Sequence, residues 1–149
     1  MRASMKSVLE TAKSKGANID NAVVFCYCFG GAAVLELERS GENLKGFATF
    51  HGGLKTPEGQ NYKSTKGKIL IMYGTADKAI TMDQFAELAT ELEAAGVAHE
   101  MISYGGAQHA FTILGSGRYQ ENADKKSWKR FTEFLSDTLN KERLKREPS

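Results

Sequence analysis

A chain of 149 residues, 41% of them hydrophobic, suits one domain (residues 1–149) with a single core. Its 20 Lys and Arg against 18 Asp and Glu leave a formal charge of +2 with the signs mixed, and no basic block is interleaved with aromatics, so nucleic acid is not an expected partner. No apolar run reaches membrane-spanning length, no apolar signal core follows the charged N-terminus, and Cys26 and Cys28 stand too close for an ordinary disulfide. Together these features predict a cytoplasmic protein in a reducing compartment, without a membrane partner.

Residues 1–15 read as an amphipathic helix with Met5, Val8, Leu9 and Ala12 on one face, and Gly16 stands where a C-cap glycine belongs. A polar turn at 18–21 leads into Val23, Val24 and Phe25, a short run with the look of a buried strand. Cys28, the pair Gly30-Gly31, and Ala32 and Ala33 follow, opening a helix that continues to Arg39. Residues 44–50 read as a second strand, closed by His51-Gly52-Gly53, and 56–66 as a loop. Residues 68–73 are almost wholly apolar, as a strand covered on both faces should be. Residues 81–95 give the clearest helix: Thr81 and Gln84 form a capping-box pattern, Phe85, Leu88, Ala89 and Leu92 an apolar stripe, and Gly96 ends it. A fourth strand at 99–104 and a glycine-containing loop at 105–117 precede the last helix, 122–139, whose inward stripe is expected at Trp128, Phe131, Leu135 and Leu139. The basic run at 141–146 reads as a solvated helix end. Strands alternating with helices predict right-handed βαβ units: an α/β fold of three layers, α/β/α, on a mostly parallel sheet of about four strands.

Ligands of such sheets lie beyond the carboxyl ends of the strands. Cys28 follows the first strand, Asp77 the third and His109 the fourth, in the chain order nucleophile, acid, histidine. A thiol is a strong nucleophile as thiolate, which a helix N-terminus and a nearby imidazole both favour. His109 can accept its proton and return it to a leaving group, and Asp77 can fix the imidazole's tautomer. The backbone N–H of Phe29, just after the nucleophile, would donate to an oxyanion. Each residue also has an ordinary reading: Cys28 as a small buried hydrophobe, Asp77 as a turn residue, His109 as a loop histidine. Order and placement at successive strand ends favour the triad. Cys26 stands where a nucleophile elbow normally has glycine, and reads as a small side chain tolerated at some steric cost. A Cys-x-Cys metal site would need further ligands, and none sit nearby in the sequence. His51 reads as part of a strand-ending turn, and His99 as a surface residue at a strand's start.

Tyr27-Cys28-Phe29-Gly30-Gly31, Gly74-Thr75-Ala76-Asp77 and Gln108-His109-Ala110-Phe111 closely resemble the dienelactone hydrolase family, a cysteine-nucleophile branch of the α/β-hydrolases. The resemblance covers most of this chain but only the C-terminal part of the family's usual length. It implies a hydrolase acting on a small ester or lactone, with Cys28, Asp77 and His109 as the triad and no metal or organic cofactor. It also implies that about half the sheet is absent, and with it the second oxyanion donor and the glutamate that contacts the resting thiol. The family's dienelactone-binding arginine, four residues past the histidine, is replaced by Ile113, so the expected substrate is not dienelactone itself. Without the missing strands the elbow strand becomes an exposed edge, and a homodimer pairing two such edges is expected. Two alternatives remain: a non-catalytic subunit or relic that keeps the triad residues without a complete oxyanion hole, and a thiol-redox role for Cys26 and Cys28.

Overall fold

The computed structural model describes residues 1–140, so the basic run at 141–146 lies outside the described residues. The elements are α1 (Arg2–Ser14), β1 (Val23–Tyr27), α2 (Phe29–Arg39), β2 (Gly46–Phe50), β3 (Lys68–Gly74), α3 (Met82–Ala94), β4 (His99–Tyr104) and α4 (Glu121–Leu139). All three strand pairings are parallel, and the four-stranded sheet has the order β1-β2-β3-β4. This is the expected α/β/α arrangement.

The strands read as continuous apolar runs because successive side chains feed two different cores. On β3, Leu70 and Met72 point toward α4, where they meet Phe131 and Phe134, while Ile69, Ile71 and Tyr73 point toward α3 and its Leu88 and Leu92. On β2, Ala48 and Phe50 join the α4 side and Phe47 packs with Val34 and Leu37 of α2. Helix α1 lies outside α2 and contributes only Met5 and Leu9, both partly buried, to that third cluster. The 51–67 connection replaces a helix between β2 and β3, and buries Leu54 and Tyr62 on the α3 side.

Three expectations change in the folded chain. The elbow strand is not buried as its apolar run suggests but is the exposed edge also expected of it: every residue of β1 keeps some solvent contact and Phe25 is 41% exposed, because among the described residues β1 pairs only with β2. The stripe of α4 runs through Ala123, Ser127, Phe131 and Phe134, leaving Trp128 50% exposed and Leu135 only partly buried. The helix is rotated toward Phe134 because the Phe134 ring occupies the space above Gly46, where a Cβ would come within 2.9 Å of it. Thr81 caps α3 by accepting from the Gln84 N–H at 3.3 Å, but Gln84 Oε1 has no hydrogen-bond partner among the described residues, so only half of the capping box forms.

Candidate active site

Each strand of the sheet delivers one chemically active side chain to the same edge: Cys28 after β1, His51 after β2, Asp77 after β3 and His109 after β4. Parallel pairing puts the carboxyl ends side by side. The register pairs Tyr27 with Phe50, so the next residues on the two strands, Cys28 and His51, become neighbours, and the Cys28 N–H donates to the Phe50 carbonyl at 3.1 Å.

Cys28 is the N-cap of α2, at φ 52 and ψ −126, a left-handed conformation that a side-chain-bearing residue adopts only where its surroundings hold it. The turn is as tight as a nucleophile elbow requires. A Cβ on Gly30 would lie 2.0 Å from the Cys26 Sγ, and one on Gly31 would lie 2.7 Å from the Gly52 Cα. Cys26 therefore stands at the elbow's small-residue position because Gly30 leaves its sulfur room. Both cysteines are free thiols, and Cys26 turns into the cluster of α2 and α1 rather than toward the site. Phe29 opens α2, so its N–H has no intrahelical acceptor and is available at the elbow.

Asp77 is held from three directions. Its Oδ1 accepts the Ala79 and Ile80 N–H groups at 2.8 and 2.9 Å, and its Oδ2 accepts the His109 Nδ1–H at 2.8 Å. The carboxylate is buried while His109 is 28% exposed on its side chain, so the imidazole's Nε2 is the nitrogen left free. Beside His109 opens a cleft of about 170 Å³, lined among others by Lys78, Gln108 and Arg118.

The sulfur's hydrogen bond goes to His51 and not to His109. Cys28 Sγ lies 3.3 Å from His51 Nδ1, and His51 Nε2 lies 2.8 Å from Thr112 Oγ1. Sγ and one nitrogen from each histidine all fall within 4.8 Å of one another. Burial, with smaller contributions from Cys26 and Asp77, pushes the Cys28 thiol above its ordinary pKa, so the resting sulfur carries its proton and donates it to His51. Burial, and next the charge on His109, hold His51 down at about 4, so that ring is neutral at physiological pH. It is 0% exposed and packed between the rings of Tyr27 and Phe111, at 5.8 and 5.1 Å.

The structure brings Cys28, His109 and Asp77 together, one His109 nitrogen lying within 4.8 Å of the Cys28 sulfur and Nδ1 bonded to Asp77, while Phe29 follows Cys28 at the start of α2. His51 is more than the end of a turn. Its place at the carboxyl end of a strand adjoining the nucleophile's strand was the available signal.

The chain matches the family model of the dienelactone hydrolase family over residues 2–139. An uncharacterized protein of Caenorhabditis elegans is 34% identical over 127 residues, which cover 77% of this chain and 78% of that protein. Among solved structures, m3DLH superposes with a TM-score of 0.83 at 26% identity, covering 93% of this chain and 61% of its own. The dienelactone hydrolase-like promiscuous phosphotriesterase P91 from metagenomic libraries has the same fold, with a TM-score of 0.73 at 23% identity over 93% of this chain and 69% of its own. The chain spans less than two thirds of the length of m3DLH. No helix among the described residues is long and apolar enough to cross a membrane.

Proposed function

The chain belongs to the dienelactone hydrolase family, and on that premise we propose that it hydrolyses a small ester or lactone with Cys28 as nucleophile. One observation carries this reading: a cysteine in a strained strand-to-helix turn has, within 4.8 Å of its sulfur, a nitrogen of a histidine whose Nδ1 is bonded to a buried carboxylate.

His109 Nε2 takes the thiol proton as the sulfur attacks the carbonyl carbon, and the carbonyl oxygen becomes an oxyanion facing the Phe29 N–H. The tetrahedral adduct collapses, the C–O bond breaks, and the alkoxide leaves with the proton from His109. Water then gives a proton to His109, attacks the thioester and releases the acid, and the proton returns to sulfur. Asp77 keeps Nδ1–H pointing away from the sulfur throughout and stabilises the imidazolium. His51 is a poor base because it is held neutral down to about pH 4. It serves as the resting acceptor of the S–H, and the sulfur must leave it for His109 before attack.

The test is hydrolysis of p-nitrophenyl acetate by the wild type, Cys28→Ala and His109→Ala. Loss of all Cys28-dependent turnover and a fall of about 10²–10⁴-fold for His109→Ala are expected. Equal rates in all three proteins would end the reading. The same proposal includes a homodimer in which a second copy covers the open side of β1, where Phe25 is exposed beside the ring of Phe131.

A further inference from the structure

A triad needs one histidine at the sulfur; this site has two. Each imidazole has one nitrogen held by a polar side chain, and each has a nitrogen within 4.8 Å of the Cys28 sulfur: Asp77 Oδ2 holds His109 Nδ1 at 2.8 Å, and Thr112 Oγ1 holds His51 Nε2 at 2.8 Å. From this convergence we propose that the site binds a divalent cation of the zinc class through Cys28 Sγ, His51 Nδ1 and His109 Nε2, and that the bound ion blocks the thiol.

The donor set and spacing suit such an ion. Zinc takes thiolate and imidazole ligands in a tetrahedron, at ~2.3 Å to sulfur and ~2.0 Å to nitrogen, which holds a sulfur and a nitrogen ligand roughly 3.5 Å apart. Cys28 Sγ and His51 Nδ1 are already 3.3 Å apart. His109 has only to close from within 4.8 Å, pivoting about its bond to Asp77, and its partly exposed ring has more room to do so than the buried His51. The Asp77 carboxylate is an outer partner of the kind metal-binding histidines ordinarily have, fixing the tautomer and aiming the second nitrogen, and the Thr112 hydroxyl accepts from His51 in the same position. His51 is immobilised by burial and by its backbone at φ 41, so half the site is preorganised. Three protein ligands leave a fourth position open toward solvent for water or a small anion.

On binding, the ion replaces the thiol proton, which is released to the medium, so affinity rises with pH. The sulfur lone pair and His109 Nε2 are then both engaged, leaving neither nucleophile nor base. This block rests on the proposed thiol hydrolysis; the binding does not.

Titration of the metal-stripped full chain with cobalt(II), followed by absorption, tests the binding directly. One ion per chain is expected, with a thiolate-to-cobalt charge-transfer band in the near ultraviolet that zinc displaces. Cys28→Ser should abolish the band. Thr112→Val should weaken affinity by about 10–100-fold through its effect on His51, and His109→Ala at least as much. His51→Ala risks the buried core, so the two milder variants bear the weight. A wild type without the band, or a band that survives Cys28→Ser, overturns the proposal. A band in a protein that hydrolyses no ester upholds the metal site and removes the hydrolytic reading. Ester hydrolysis that stoichiometric zinc leaves untouched, with no band, does the reverse.

Discussion

Cys28, His51 and Ala110 are the non-glycine residues at positive φ among the described residues, at 52, 41 and 65°; the first two directly follow strands β1 and β2, and the third directly follows His109. Such conformations cost on the order of 1–3 kcal/mol each, and they persist only where surrounding contacts outweigh them. Two buried titratable side chains add their own costs, with opposite dependence on pH. His51 is held at about 4 by burial, against 6.5 ordinarily. Between those values the unfolded chain binds the proton that the folded one refuses, so stability is lost as pH falls through the window, by roughly 3 kcal/mol in all. Glu38 on α2 is 0% exposed, and neither of its carboxyl oxygens has a hydrogen-bond partner among the described residues. Burial pushes its carboxyl up to about 9 from 4.5. There the folded chain keeps the proton that the unfolded one releases, so stability declines as pH rises, by about 1.4 kcal/mol per pH unit at most. The two slopes oppose each other between pH 4.5 and 6.5, and variants are needed to separate them. Glu38→Gln should gain on the wild type as pH rises from 5 to 8 in chemical denaturation. His51→Asn, which tolerates the backbone at φ 41, should gain on it as pH falls from 7 to 4. A difference that does not vary with pH would show that the side chain reaches water or a partner.

The elbow is the element in which sequence and structure agree most closely, and the reason is local. A strand, a residue that must turn, and a helix whose first turn carries Gly30, Gly31 and Ala32 after Phe29 are consecutive in the chain, so their pattern survives any tertiary context. The contact between Cys26 and Gly30 makes the fit testable. Gly30→Ala should be severely destabilising, since its Cβ would fall 2.0 Å from the Cys26 Sγ. Cys26→Gly should relieve much of that loss, so a double-mutant cycle should return a coupling of about 1–3 kcal/mol. Additive effects would mean that the helix start shifts to accommodate the methyl group. Helix α4 shows the opposite case. Its 3.6-residue pattern allowed two overlapping stripes, one through Trp128 and Leu135 and one through Ala123, Ser127 and Phe134. The absence of a side chain at Gly46, far away in sequence, selected the second.

Across the whole molecule, a buried network ties the first helices to the long β2–β3 connection. Arg39 donates to Glu36, Gln60 and the Tyr62 hydroxyl at 2.7, 2.7 and 2.8 Å, and Arg2 of α1 donates to the other oxygen of Glu36. The opposite side of β1 has no such cover among the described residues. Phe25, Tyr27, Phe50, Trp128 and Phe131 form a chain of ring contacts running from the open strand edge onto α4, with Phe25 and Trp128 half in water. A second copy paired along this edge would bury those rings and complete the hydrogen bonding of the strand. Light scattering at micromolar concentration should then give a dimer, and Phe25→Lys a monomer. A monomeric wild type would remove the dimer from the reading while leaving the chemistry of Cys28 untouched.

The sequence by itself determined the α/β class, the elbow, the capping of α3 by Thr81 and the order Cys28, Asp77, His109. These follow from short-range patterns: apolar periodicity, turn residues, and candidate site residues placed in the loops after strands. Only the tertiary structure decided that His51, and not His109, receives the resting thiol's hydrogen bond, and that two histidines and a cysteine share one edge. That outcome depends on the β1–β2 register setting Tyr27 beside Phe50. Register is a relation between strands remote in sequence, chosen by which side chains the two faces can bury together.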